Sequence, residues 1–271
     1  MMLKNVKACQ TSVANGLSQQ IITEMQRIDS TCLVSFSELN VSISTSVFPL
    51  LQPPAKEGLR QAIKASGGRK LVVNSAYRTI AQQYLLSRQK QQNRCGRTLV
   101  AQPGKSNHES GLALDISDFQ IWKPYFVQCG WRWLGAADEV HFDFVRTMRN
   151  IRGLSVLSFQ RLWNRYNLND RIIEDGVYGA QTDNRLANSP TEGFGEKDEL
   201  TANRVLRLSQ PLMQGGDVRI VQIALKRAGF NISVDGLFGA STENGVKQFQ
   251  KQKGLEVDGC VGTATWKALG M

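Results

Sequence analysis

The chain has 271 residues, of which 41% are hydrophobic and 21% charged. That is ordinary for a soluble globular protein built as one large domain, or as a medium domain with a small one. No stretch approaches the roughly 20 consecutive apolar residues of a membrane span, and the opening MMLKNVKACQTSVANGLSQQ lacks the long apolar core of a secretory signal. The net charge of +10 implies an anionic partner: nucleic acid, a membrane surface or an acidic polymer such as a bacterial cell wall. No aromatic-basic stripe favours nucleic acid.

The predicted elements begin with a helix over 15–28 and a second over 55–66, stopped by Gly67-Gly68. KLVVNSAYR (70–78) reads as a strand ending in a polar turn, and TIAQQYLLSRQKQQ (79–92) as a helix. LALDISD (112–118) and EVHFDFV (139–145) alternate as strands do. In the latter, Val140, Phe142 and Phe144 point one way, His141 and Asp143 the other. The mixture predicts an α+β domain with a small antiparallel sheet over 1–150. The five cysteines, Cys9, Cys32, Cys95, Cys129 and Cys260, are odd in number and never in CxxC spacing. They argue against a zinc ribbon or a disulfide framework and for a reduced compartment, with one bridge from Cys95 left open.

FQRLWNRYNLNDRIIEDGVYGAQTDNRL (159–186) is an amphipathic helix, an Asp-Gly turn and a helix start. NSPTEGFGEKDE (188–199) reads as a loop or linker. DVRIVQIALKRAGF then places Val218, Val221, Leu225 and Ala228 on one helical face, with Asp217 as the expected N-cap. DGLFGAST (235–242) echoes DGVYGAQT (175–182), and a further Asp-Gly turn follows at 258–259. The repetition predicts a partial copy plus linker over 151–195, then an all-α three-helix unit over 205–271.

Half of the histidine lies in GKSNHESGLALDISD (104–118). Within it His108 and Asp115 flank ESGLAL (109–114), and the other histidine, His141, lies on a second strand-like run. Two histidines and a carboxylate are one way to hold catalytic zinc with a position open for water. Any two histidines can equally be packed core residues, and the spacing alone is not distinctive.

SNHESGLALD (106–115) resembles the Ser-x-His-x-x-Gly-x-Ala-x-Asp signature of the zinc D-alanyl-D-alanine carboxypeptidase and L-alanyl-D-glutamate endopeptidase superfamily, peptidoglycan peptidases of the VanY type. DEVH (138–141) resembles its second signature and NSAYRTIAQQ (74–83) its Tyr-Arg segment. The resemblance spans about 55–145. It implies that His108, Asp115 and His141 bind Zn2+, that Asp138 is the general base, and that Arg78 steadies a carboxylate or oxyanion. Ser106, Tyr77 and Gln83 would line the substrate groove. Strict alternation would put Glu139, not Asp138, on the face of His141, unless a turn at GAADE breaks it. Residues 215–269 are similar to the three-helix peptidoglycan-binding domain found beside wall hydrolases.

Together these imply a monomeric enzyme with an anchor, whose partner is peptidoglycan and not nucleic acid. It would be made in the cytoplasm and act at the wall, reaching it through a holin pore in the manner of an endolysin. The expected reaction is L-Ala-D-Glu endopeptidase cleavage. A D-alanyl-D-alanine carboxypeptidase is the alternative, and a non-catalytic wall-binding protein ranks below both.

Overall fold

A computed structural model describes residues 1–271 apart from 45, 97–98, 147–148, 195–204, 215 and 270–271. It resolves into two compact units. One comprises Met1–Met25 and Thr31–Phe194; the other comprises Gln26–Ser30 and Gly195–Met271. Residues 195–199 of the expected linker lie outside the described residues.

The first unit is mixed α+β. Helix α1 (Asn15–Ile28) has the expected bounds. Two short strands, β1 (Val34–Ser35) and β3 (Leu50–Leu51), pair with each other. Helix α2 (Pro53–Ala65) opens on two prolines, whose missing N–H groups cost nothing at a helix start. The main sheet has the order β2-β4-β5-β7-β6, with β2 at Val41–Ile43, β4 at Leu71–Ser75, β5 at Ala113–Ile116, β6 at Trp131–Trp133 and β7 at His141–Phe144. Its pairs are antiparallel except β2 with β4, which run parallel, so the sheet is mixed at one edge. Strand β2 is too short to carry an alternation signal.

Strand β4 alternates buried and exposed residues at its start, whereas β7 is buried on both faces. Phe142 and Phe144 face the core as expected, but Val140 lies in the preceding turn and is exposed. On the core face, α2 packs so closely that a Cβ on Gly58 would stand 2.5 Å from the Phe144 ring. Helix α3 (Ile80–Gln91) starts at Thr79, whose side chain and that of Gln82 cap each other's backbone N–H groups. Helix α4 (Phe119–Gln128) had no clear sequence signal: Pro124 lies inside it and its apolar residues show no clean helical period.

Cys9 and Cys95 form a disulfide across 86 positions of sequence, while Cys32, Cys129 and Cys260 are free thiols. This fills the one bridge left open at Cys95 and stands against the expected reduced compartment. Bridges persist in oxidising surroundings.

Helices α5 (Arg152–Tyr166) and α6 (Ala180–Ala187) carry the upstream Asp-Gly turn. They pack with the first unit: Val156, Phe159, Leu162 and Leu186 share a core with Leu17, Ile21, Tyr77 and Tyr84. The second unit is helical, with α7 (Gly216–Arg227), α8 (Ala240–Lys253) and α9 (Thr263–Ala268). Val218, Val221 and Leu225 enter its core with Phe238, Val246, Phe249 and Trp266. Ala228 lies past the helix end and is exposed, and Asp217 sits inside the first turn, where its carboxylate accepts the Val218 N–H.

One polar bracket occurs three times among the described residues. The Gln222 side-chain amide donates to Asp235, to the Leu237 carbonyl and to Thr242, while its oxygen accepts the Gly236 N–H. Gln250 repeats this with Asp258, Cys260, Thr265 and Gly259. Gln160 repeats it with Asp175, Val177, Thr182 and Gly176. The upstream copy is therefore intact at its turn, although its helices serve another core.

Candidate metal centre

Three neighbouring strands set the site by register. Ser75 on β4 pairs with Asp115 on β5, which pairs with His141 on β7. His108 arrives from a single 3-10 turn, Asn107–Ser110. Ser106 and Glu109 cap each other's backbone there, and Gly111 closes the turn at φ +66°. A side chain at Gly111 would be strained at that angle, and its Cβ would meet Leu33 at 2.5 Å.

His108 Nε2, Asp115 Oδ1 and His141 Nδ1 form a triangle with sides of 3.2, 3.2 and 2.9 Å. Tetrahedral zinc with bonds near 2.0–2.1 Å holds neighbouring donor atoms about 3.3 Å apart, so the spacing fits. The protons point away from the triangle. His108 Nδ1 lies 2.7 Å from the Ala76 carbonyl, which only accepts, so this nitrogen carries the hydrogen and Nε2 a lone pair. His141 Nε2 donates to Asp143 Oδ1 at 2.9 Å, leaving its Nδ1 as the inward acceptor. Asp143 is steadied in turn by Asn107 at 2.7 Å and Arg132 at 3.2 Å. Anchoring the outer nitrogen of each imidazole fixes tautomer and ring direction, as metal-binding histidines require.

The electrostatics agree with a cation site. Burial pushes His108 down, helped by the Arg78 charge. Burial opposes ionisation of Asp115, but His108, His141 and Arg78 outweigh it and hold the carboxyl well below its usual range. Burial also opposes charge on His141, yet the hydrogen bonds and charges of Asp115 and Asp143 lift it to about 9. Without metal the cluster keeps a proton on His141 in a cation's place.

Arg78 is aimed by several contacts. Its guanidinium reaches Asp115 Oδ2 at 3.1 Å, Gln83 Oε1 at 3.2 Å and Ser75 Oγ at 3.1 Å. Gln83 is fully buried and donates to the Ala101 carbonyl, so it orients Arg78 and does not line a groove. Ser106 is likewise buried and accepts the His108 N–H, which makes it the cap of the turn that carries His108. Tyr77 is 1% exposed and donates to Met25 Sδ in the core. All three were expected to line the groove. Burial and internal hydrogen bonds put them behind the site.

Asp138 lies in the turn ahead of β7, half-buried, and its carbonyl accepts the His141 N–H at 3.1 Å. This turn breaks the alternation that would have favoured Glu139, which is exposed. Asp143, Asn107 and Arg132 were not among the expected site residues. The one available signal was His141-x-Asp143, which puts both side chains on one strand face.

Residues 52–147 match the family model described as VanY, D-alanyl-D-alanine carboxypeptidase. The match is to that span. It runs from the turn before α2 to just past β7 and contains all three donor residues of the triangle. Residues 214–269, which hold α7, α8 and α9, match the model described as "Putative peptidoglycan binding domain". The chain is 33% identical over 107 residues to the N-acetylmuramoyl-L-alanine amidase CwlL of Bacillus licheniformis, covering 35% of this chain and 30% of that protein. It is 32% identical over 102 residues to a probable N-acetylmuramoyl-L-alanine amidase of the same organism, covering 35% and 29%. The chain thus spans under a third of the length of these curated relatives. No helix among the described residues is long and apolar enough to cross a membrane.

Proposed function

We propose that the VanY domain is a zinc-dependent peptidase that hydrolyses an amide bond of the peptidoglycan stem peptide, and that the helical unit tethers it to the wall. The observation that carries this reading is the inward-facing triangle of His108 Nε2, Asp115 Oδ1 and His141 Nδ1, each imidazole hydrogen being engaged outside it. Zinc held there would supply Lewis acidity at neutral pH. Asp138 takes a proton from the attacking water and returns it to the leaving amine. The Arg78 fork, held by Ser75 and Gln83, binds a substrate carboxylate or the developing oxyanion. The tether raises the local concentration of enzyme at its substrate.

An L-Ala-D-Glu endopeptidase of the endolysin type remains the first reading. The family model's description, D-alanyl-D-alanine carboxypeptidase, favours terminal trimming as the second. Mass spectrometry of peptidoglycan fragments treated with zinc-loaded protein, beside a His108→Ala control, separates them. Release of a stem peptide beginning at D-glutamate supports the endopeptidase, and loss of one alanine from a pentapeptide supports the carboxypeptidase. Release of a stem beginning at L-alanine would make the chain an amidase. No cleavage by the wild-type protein with zinc bound would count against the enzyme reading altogether.

A further inference from the structure

A second concavity lies on the same unit, at the β6 edge of the sheet. It measures about 540 Å³ and is lined in part by Lys123, Trp131, Arg132, Trp133 and Arg146. It is a shallow depression broadly open to solvent, so an occupant would lie along it and would not be enclosed. The remaining lining is Val127, Gly130 and Val145, so no carboxylate lines it among the described residues.

The pocket is built in detail. Lys123 Nζ sits 3.7 Å from the centre of the Trp133 ring, which stacks on Phe119 at 5.8 Å. Gly130 has φ +92°, and a Cβ there would stand 2.6 Å from Arg146 Cδ. That arginine lies across the glycine and donates to the Gln128 carbonyl. Trp131 is 2% exposed, and its indole N–H has no hydrogen-bond partner among the described residues. Val127 and Val145 are about half exposed, leaving an apolar floor in water.

Two cations, Lys123 and Arg146, beside an indole and valine floor suit a ligand with both apolar C–H faces and negative charge, while Arg132 is turned to Asp143 on the other face of the sheet. Sugar rings present such faces to aromatic side chains, and carboxylate or phosphate groups pair with lysine and arginine. The geometry points to a binding site for an acidic glycan segment at this edge, separate from the metal triangle. A neutral glycan would leave the cations unused, and a bare polyanion would leave the indole-lined floor unused. Resting on the wall-directed reading above, the occupant is an acidic glycopolymer of the wall that holds the catalytic unit against its substrate. Arg132 holds Asp143, the carboxylate behind His141, so the site borders the catalytic face.

The test uses the full chain and calorimetric titration with tetragalacturonate, with neutral chitotetraose and tetraglutamate as comparators. Wild type should bind the acidic sugar at least tenfold more tightly than either comparator. Lys123→Gln/Arg146→Gln should lose at least tenfold in that affinity, and Lys123→Gln alone severalfold, with zinc affinity unchanged in both. Equal affinity of wild type and Lys123→Gln for tetragalacturonate would overturn the assignment. So would tetraglutamate or chitotetraose binding as tightly as the acidic sugar. Because the readout is binding, it stands apart from cleavage: a chain that binds the sugar but cuts nothing would refute the peptidase reading and leave this site in place.

Discussion

The glutamine brackets and the histidine triangle are both buried polar clusters, and they close in opposite ways. In each bracket every contact is a donor meeting an acceptor, with Gln160, Gln222 and Gln250 making the same bonds to an Asp-Gly turn and a threonine. Nothing further is needed, so the bracket is a fastening. In the triangle three atoms converge within 2.9–3.2 Å, with one hydrogen of each imidazole engaged outside and, in the metal-free protein, only the extra proton on His141 to join them. Buried acceptors that face one another are costly unless a cation joins them. A cluster that satisfies itself is architecture, and one that needs a guest is a site.

The comparison breaks first at His108. Replacing it by alanine removes one of three donors and should cut peptide release by roughly a thousandfold or more. Fragment mass spectrometry checks this, and near wild-type release would put the chemistry elsewhere. Asp143→Asn keeps the shape but weakens the anchor on His141. Zinc affinity should fall about 10- to 100-fold by competition with a chelating dye, and an unchanged affinity would mean that the outer hydrogen bond is idle.

The brackets should respond in the other way. Gln250→Ala strands the buried amide of Gly259 and should cost about 2 kcal/mol in urea unfolding, and Gln160→Ala, which frees the half-buried amide of Gly176, should cost less. Zinc affinity should not move, and a change in it would show that bracket and site are coupled.

Acidity sharpens the contrast further. In the metal-free protein His141 is lifted to about 9 from an ordinary 6.5, so its contribution to stability is complete below 6.5 and lost as pH rises through 9. His108 is shifted the other way, so its contribution is present above 6.5 and lost as pH falls below it. Metal-free stability from this pair should therefore peak near 6.5. Zinc must displace the proton on His141, so affinity should rise about tenfold per pH unit between 6.5 and 9. A flat affinity over that window would mean that His141 does not take part.

Much of this was legible in the residues. Helix α1 has its expected bounds, and α2 and α3 lie within one to two residues of theirs, because apolar period and end signals agree there. The Ser-x-His-x-x-Gly-x-Ala-x-Asp spacing marks two residues of the triangle because the turn and the strand that carry them are adjacent in sequence. The supporting shell was not legible. Gln83 and Ser106 were read as substrate contacts, yet their role depends on burial, which no spacing reveals. Asp143 acts through a carboxylate behind a histidine, and two residues of separation look the same in a structural pair. The Asp-Gly echo at 175 predicted the local turn correctly but not its neighbours. A bracket is written in nearby residues, whereas the core that α5 joins is completed by α1 and α3 from far upstream.

Zinc-edge X-ray absorption of the zinc-loaded protein tests the central claim most directly. The account predicts two imidazole nitrogens and carboxylate and water oxygens at about 2.0–2.2 Å, with one imidazole lost in His108→Ala. A sulfur shell near 2.3 Å from the free thiols, or a spectrum unchanged by the substitution, would contradict it.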